Sequence, residues 1–386
     1  MRIAMMCDSY YPTRDGVVTS ITTIRKSLEE LGHEVWIVAP DPGEDKRIDD
    51  SNVLWLKSVR LKTYDGYYVP IQPSADLERM KSFNFDVLHV HGMAVMAVRG
   101  LVLAHYLNVP VVMTFHTMID DVASYYSPIK LPEKTLKSLI WIYLRNIMKR
   151  MDAVIVPTDA IGKEILGHSV NMRLLRTIPT GIDTNIFHPG LDGNEFSKKY
   201  GLEYGKKIIH VGRMSFEKEI DMAIRAMESV DATLILAGSG PHKKELEQLT
   251  KKLKLTDKVK FLGFIPDEDL PYAYACADMA ISCSAFETQG LSILEAMASR
   301  LPCACRNARA FTSIIKDEEN GFFFYDHEEC IKAIEKCLAA SDSVKKASYI
   351  TAISNSAELS AKKTIDLYEE VIAAKKKRLE AKDCST

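Results

Sequence analysis

The chain has 386 residues with 47% hydrophobic and 26% charged side chains and a formal net charge of -2. That length exceeds what one hydrophobic core usually serves, so two domains of ordinary size are expected, and the near-neutral balance argues against a nucleic-acid partner. Met1 to Cys7 is too short for a signal-peptide core and no run approaches the roughly 18 apolar residues of a spanning helix, which gives a cytoplasmic reading. The eight cysteines fall mostly in apolar strands and helices of the second half, with no His or Cys pair to complete a zinc site. They read as reduced, mostly buried thiols.

Arg2 to Met6 reads as the first strand, Val17 to Leu31 as a helix closed by Gly32, and Glu34 to Ala39 as the next strand. A unit of this kind belongs to a doubly wound sheet, where the loop at a strand's carboxyl end is the usual binding position. That loop holds Asp15-Gly16. The glycine would let a ligand approach the backbone closely, although Asp-Gly is also an ordinary turn. The pattern repeats through Asp86 to Val90, Val111 to Phe115 and Ala153 to Val156, and two of these runs are followed by histidines, His91 and His116. A lone strand-end histidine is more often structural. The carboxyl edge is nevertheless where such a domain places its chemistry, so His116-Thr117 is a candidate.

Leu131 to Arg150 has basic ends around the apolar run Leu139-Ile140-Trp141-Ile142-Tyr143-Leu144. It reads either as a buried crossover helix or as one presenting Trp141, Tyr143 and lysines to an anionic membrane surface. Ile178 to Asp183 then breaks the alternation, and the polar segment to Gly205 reads as an interdomain linker.

A second alternation starts with a strand at Lys207 to Val211. Its loop, Gly212 to Lys218, puts Arg213 and Lys218 near the start of the helix Ile220 to Met227, which suits a diphosphate bound without metal; ordinary salt bridges are the bland alternative. Ala232 to Ala237 follows, closed by Gly238-Ser239-Gly240, then a strand at Val259 to Phe264. Asp267-Glu268-Asp269 follows Pro266 at a helix start, where carboxylates cap N–H groups with no metal. Met279 to Cys283 is a short buried strand, and Leu291 to Ser299 carries Leu291, Leu294 and Ala298 at helical spacing. Between them the backbone turns at Gly290, and the N–H groups opening the helix favour an anion. Glu287 and Glu295 would serve hydroxyls there, since a carboxylate accepts from a vicinal diol. Strands at Pro302 to Cys305 and Phe322 to Phe324 come next, and a last helix, Ser360 to Lys377, is long enough to reach back across the linker.

Taken together, these residues resemble a family-4 glycosyltransferase. Four motifs match in order: the first strand with Asp15-Gly16, Pro179-Thr180-Gly181-Ile182-Asp183 followed by Phe187 and Pro189, Gly212-Arg213 with Lys218, and Glu287 with Glu295. Within that family the chain is similar to bacterial glycolipid synthases that glucosylate diacylglycerol. The shared features are Gly16-Val17-Val18-Thr19-Ser20, His116-Thr117 with Tyr125-Tyr126-Ser127-Pro128, Glu287-Thr288-Gln289-Gly290-Leu291, and Arg306. It departs from the family at Arg300, where many members carry glycine, and at Ala308-Arg309-Ala310, where small Gly-rich turns are usual.

The resemblance implies an α/β GT-B fold, two Rossmann-like doubly wound domains facing across a cleft: residues 1–185 for the acceptor, 206–363 for the donor, and a helix at 364–386 returning to the first. It implies retaining hexosyl transfer from a nucleotide sugar, with UDP-glucose expected, to a lipid hydroxyl such as diacylglycerol, by a peripheral protein on an anionic membrane surface. Arg213 and Lys218 would hold the diphosphate, Glu287 the transferred sugar and Glu295 the ribose. Gly16, Gly212, Gly238, Gly240, Gln289, Gly290 and Leu291 would line the donor site, and His116 would stand near the acceptor hydroxyl with Asp15, His91 and Asp121. No metal or cofactor and no protein nucleophile are implied. A soluble acceptor, a nucleotide-sugar epimerase and a silent binding module stay open as other readings.

Overall fold

The short β-branched runs form parallel strands in the computed structural model, which describes residues 1–13, 15–61, 68–71, 73–116, 118, 132–202 and 205–383. The chain divides into two units, Met1–Gly181 with Ala357–Thr386, and Ile182–Ser356.

The first unit holds β1 (Arg2–Met6), β2 (Glu34–Pro40), β3 (Val53–Leu56), a small antiparallel pair β4 (Ser58–Arg60) and β5 (Tyr68–Pro70), then β6 (Val87–Val90), β7 (Val111–Thr114), β8 (Ala153–Val156) and β9 (Leu175–Thr177). Its main sheet is parallel in the order β3-β2-β1-β6-β7-β8-β9. Every residue of β6, β7 and β8 is buried. This is what helices on both faces require, and it is why those strands read as unbroken apolar runs. The order reverses direction between β1 and β6, so a crevice opens beyond the carboxyl ends of these two strands.

Helix Gly16–Glu30 buries Val18, Ile21, Ile24 and Leu28, spaced along one face, in a core shared with Leu367, Tyr368 and Val371 of the long helix Ala357–Asp383. That last helix is fastened by Arg378 to Asp152 and by Arg176 to Glu370.

Helix Glu133–Arg150 buries Trp141, which decides for that residue against the reading that presents it to a membrane. Trp141 is 4% exposed and stacks on His168 at 3.6 Å, beside buried Leu144, Ile147 and Met148. Tyr143 lies at the surface but donates its hydroxyl to the Met93 carbonyl oxygen at 2.7 Å. The outer face instead shows Leu139 and Ile142, each half exposed, between Lys134 and the terminal Lys149 and Arg150. A run apolar on all sides does not disclose which side meets the core.

The second unit holds β10 (Lys207–Val211), β11 (Thr233–Ala237), β12 (Val259–Gly263), β13 (Met279–Ser282), β14 (Cys303–Arg306) and β15 (Phe322–Phe324), parallel in the order β12-β11-β10-β13-β14-β15. The reversal lies between β10 and β13, whose following loops carry Arg213 and Lys218 on one side and Glu287 on the other.

The segment read as a linker is part of this unit. Phe196 and Leu202 are buried with Ile209, Ile235 and Tyr274, and Phe187 meets the Tyr274 ring edge-on at 5.8 Å. The second unit thus runs from 182 to 356 rather than from 206 to 363. Its first apolar residues are too widely and irregularly spaced to show a period. The described cysteines are all buried free thiols.

Candidate active site

In the second unit the loop after β10 closes through a 3-10 turn, Phe216–Lys218, and delivers the Lys218 ammonium to Glu287 Oε1 at 2.5 Å. Both side chains are about a fifth exposed, which leaves the pair partly desolvated and open to exchange with an incoming anion. Ser284, fully buried, donates to the Glu217 carbonyl oxygen at 3.4 Å and so ties this loop to the one after β13.

Two of the glycines expected to line the donor site have a reason inside the protein. A Cβ on Gly238 would stand 1.9 Å from the Gly212 carbonyl oxygen, and one on Gly240 would stand 2.3 Å from that of Met214. The loops after β10 and β11 therefore lie back to back, joined by Gly212 N–H to the Ala237 oxygen and Met214 N–H to the Ser239 oxygen at 3.0 and 2.9 Å. Gly238 and Gly240 shape the Arg213 loop from behind.

Gly290 caps helix Leu291–Ala298 at φ +78, where a Cβ would also strike Phe311 at 2.5 Å. Gln289 just before it is buried. Within the helix Glu295 is 8% exposed and accepts from the Tyr274 hydroxyl at 2.8 Å. Burial raises its carboxyl to about 7 against that hydrogen bond. His210, beneath the same edge, is held neutral by burial, with its pKa lowered to about 4 and its Nε2 without a partner among the described residues.

The two departures from the family pattern have backbone explanations. Arg300 and Arg309 hold φ of +62 and +37, the left-handed region that glycine enters freely. Arg300 accepts that conformation while pairing with Asp342 at 2.8 Å, and Arg309 lies over the Phe286 ring at 5.5 Å. Such a residue costs roughly 1–2 kcal/mol. Asp269 does not cap its helix as expected; its carboxylate is taken by Lys199 at 2.7 Å. Among the described residues no group of three potential metal ligands occurs.

In the first unit Asp15 is the N-cap of helix Gly16–Glu30, accepting from Val17 and Val18 N–H at 2.9 Å each. Its Oδ1 is committed to its own helix, an occupation that favours a capping role over the acceptor contact expected for it. Gly16 is exposed, and among the described residues a Cβ there would meet nothing within 4 Å.

At the carboxyl ends of β6 and β7 stands a set of imidazoles, His89 and His91 buried and His116 partly buried. His89 Nδ1 meets the Tyr368 hydroxyl at 2.6 Å and its Nε2 the Thr114 hydroxyl at 2.7 Å. His91 Nδ1 lies 3.1 Å from His116 Nε2, and His91 Nε2 is buried with no partner among the described residues. Burial keeps all three neutral, His89 at about 3, His116 at about 4 and His91 well below the ordinary value. Asp121, with Thr117 and the Tyr125 to Pro128 stretch, lies outside the described residues.

Sequence reasoning missed Asp8, His89 and Glu219. Asp8 follows β1 and accepts from Ala94 and Met96 N–H at 3.0 and 2.9 Å, capping helix Val95–Leu107 from another strand. A Cβ on Gly92 would stand 2.0 Å from its Oδ2. The available signal was a carboxylate at the end of the first strand; its partner is too remote in sequence to infer. Glu219 holds a left-handed φ of +46 and pairs with Arg306.

Residues 14–186 match the model described as Glycosyltransferase Family 4, and residues 192–352 the one described as Glycosyl transferases group 1. The chain belongs to the family-4 glycosyltransferases and is a retaining glycosyltransferase of GT-B fold, built from two Rossmann-like halves. It is 28% identical over 401 residues to an alpha-monoglucosyldiacylglycerol synthase of Acholeplasma laidlawii, spanning 99% of this chain and 100% of that one. A synthase of the same name from Streptococcus pneumoniae is 29% identical over 358 residues, 88% of this chain and 79% of the relative. Among solved structures, HepE of Anabaena in complex with UDP superposes with a TM-score of 0.77 at 18% identity, covering 96% of this chain and all of that one.

Proposed function

We propose that the enzyme moves glucose from UDP-glucose to the hydroxyl of a lipid such as diacylglycerol, on an anionic membrane surface. The observation that carries this reading is the similarity to two monoglucosyldiacylglycerol synthases over most of their lengths. The solved complex of HepE with UDP and glucose, which shares the fold, supports the choice of donor.

In this reading Arg213 and Lys218 bind the diphosphate and stabilise the charge that grows on the leaving phosphate. Lys218 then exchanges its contact with Glu287 for the phosphate, and Glu287 turns its freed oxygen to the transferred sugar. Glu295, one oxygen held by Tyr274, offers the other to the ribose diol. The departing phosphate takes the acceptor proton, so no side chain acts as nucleophile, and neutral His116 orients the acceptor hydroxyl beside His91. Two cations already in the loop make a metal unnecessary.

Among the described residues no helix is long and apolar enough to cross a membrane. Surface attachment is assigned to Leu139 and Ile142 with Lys134, Lys149 and Arg150, each cation contributing on the order of 1 kcal/mol on anionic lipid. Co-sedimentation with phosphatidylglycerol vesicles should be strong at low salt, weaken as salt screens it, and fall when Lys134, Lys149 and Arg150 are changed to Ser. Burial of Trp141 is the one observation that favours a soluble acceptor instead.

Incubation with a panel of nucleotide sugars and a total lipid extract, followed by mass spectrometry, tests the whole reading. A hexosyl-diacylglycerol formed with UDP-glucose is expected. Transfer to a soluble acceptor with no new glycolipid would overturn it.

A further inference from the structure

The Glu219–Arg306 ion pair stands at the same sheet edge but has no part in the roles assigned above. Glu219 directly follows Lys218 and holds φ +46 and ψ 39. Its Oε2 accepts from Arg306 Nη1 at 2.5 Å, with both side chains roughly a quarter to a third exposed. Arg306 ends β14, and in the sheet β13 separates β14 from β10. The pair therefore spans the end of β13, the strand whose loop supplies Glu287, while Lys218 reaches only as far as that loop. Neighbouring strands lie about 4.8 Å apart, so the loop after β10 is held at two places along the edge, roughly one and two strand spacings away.

Glycine would enter this left-handed backbone freely, whereas a residue with a side chain does so at a cost. The chain nevertheless carries a glutamate here, and the contact its carboxylate makes is with Arg306. Charge gives a second reason for the partner. An uncompensated carboxylate one residue from Lys218 would repel an incoming diphosphate, and Arg306 neutralises it.

We propose that Glu219 and Arg306 are positioning residues, fixing the Phe216–Lys218 turn so that the Lys218 ammonium already stands where the leaving phosphate's charge forms. The inference rests on the diphosphate role proposed for Lys218. A small displacement of a group acting on the transition state costs turnover far more than donor binding.

Steady-state kinetics on Glu219→Gln, Glu219→Gly, Arg306→Gln and the charge-swapped double variant Glu219→Arg with Arg306→Glu, run beside Lys218→Ala, provide the test. The two Glu219 variants should lose kcat by on the order of tenfold to a hundredfold with donor KM within about twofold. Glu219→Gly should melt no lower than the wild type, because it relieves the backbone. Arg306→Gln should lose kcat and also raise donor KM, and the swapped variant should recover most of the lost kcat. Full kcat in Glu219→Gly, or a folded swap as slow as the single variants, would overturn the proposal. If Lys218→Ala is slow while Glu219→Gln is not, this inference alone falls; if Lys218→Ala turns over normally, the reading of the site falls with it.

Discussion

At the carboxyl ends of β6 and β7 stand neutral imidazoles, His89 and His91 buried and His116 partly so, whereas beyond β10 and β13 stand ion pairs a fifth to a third exposed. His89, His91 and His116 are kept neutral by desolvation, each within reach of another imidazole or a hydroxyl. Lys218 pairs with Glu287 and Arg306 with Glu219 where water still reaches. The same kind of crevice, formed in each unit where strand order reverses, thus carries a different chemistry in each. Neutral imidazoles can orient a hydroxyl without attracting phosphate, and exposed ion pairs can trade a carboxylate for a phosphate without stranding a buried charge.

The sharpest way to break this contrast is to remove a cation. Lys218→Ala and Arg213→Ala should each lower kcat by roughly 10² to 10³ with little change in melting temperature. Wild-type turnover in both variants, with folding intact, would remove the anion-binding half of the contrast.

Acid tests the neutral half. The unfolded chain protonates these histidines below their ordinary 6.5, while the folded chain resists to about 4 at His116. Their contribution is therefore fully present above about 6.5 and lost as pH falls, by up to about 1.4 kcal/mol per pH unit for each. All three tryptophans, Trp36, Trp55 and Trp141, belong to the first unit, so urea unfolding followed by tryptophan fluorescence reads that unit. Its midpoint should drop steeply from pH 7 to pH 5, and less steeply in His91→Gln. A midpoint that ignores pH would mean the imidazoles are not held neutral.

Glu295 carries the opposite sign within the charged half. Its carboxyl, raised to about 7, contributes stability that is full below the ordinary 4.5 and lost as pH rises through about 7. Glu295→Gln, which keeps an oxygen for the Tyr274 hydroxyl, should be the more stable protein at pH 8, by up to about 3 kcal/mol, and should bind UDP more weakly. Equal stability of the two at pH 8 would show that burial does not penalise this carboxylate.

The smallest expected effect is none at all. Turnover should be unchanged in a chelator, because Arg213 and Lys218 supply the positive charge; a loss restored by manganese would assign that work to a metal.

Much of this was legible in residues that obey local rules. Strands buried on both faces announce themselves as apolar runs, and Asp15, Gly212 and Gly290 mark turns whose backbone needs are local. Gly238 and Gly240 were visible as loop glycines, but not their reason, which is the backbone of a loop more than twenty residues away in sequence. The same distance hid Asp8, whose partners lie 86 and 88 residues on, and His89, whose Tyr368 lies 279 residues on. The side on which Trp141 lies stayed open because a run apolar on every side carries no phase. Glu219 gave no warning, since nothing local distinguishes a glutamate that will be forced into a left-handed turn.

The long terminal helix has a consequence for synthesis. The first unit takes its backbone from both ends of the chain, and the second is an insertion between Gly181 and Ala357. At a ribosomal pace of about 5–20 residues per second, the second unit is complete while the first still lacks Leu367, Tyr368 and Val371, and His89 still lacks the second of its two hydroxyl partners. Until those residues are made, the amino-terminal core is unfinished along Val18, Ile21 and Leu28.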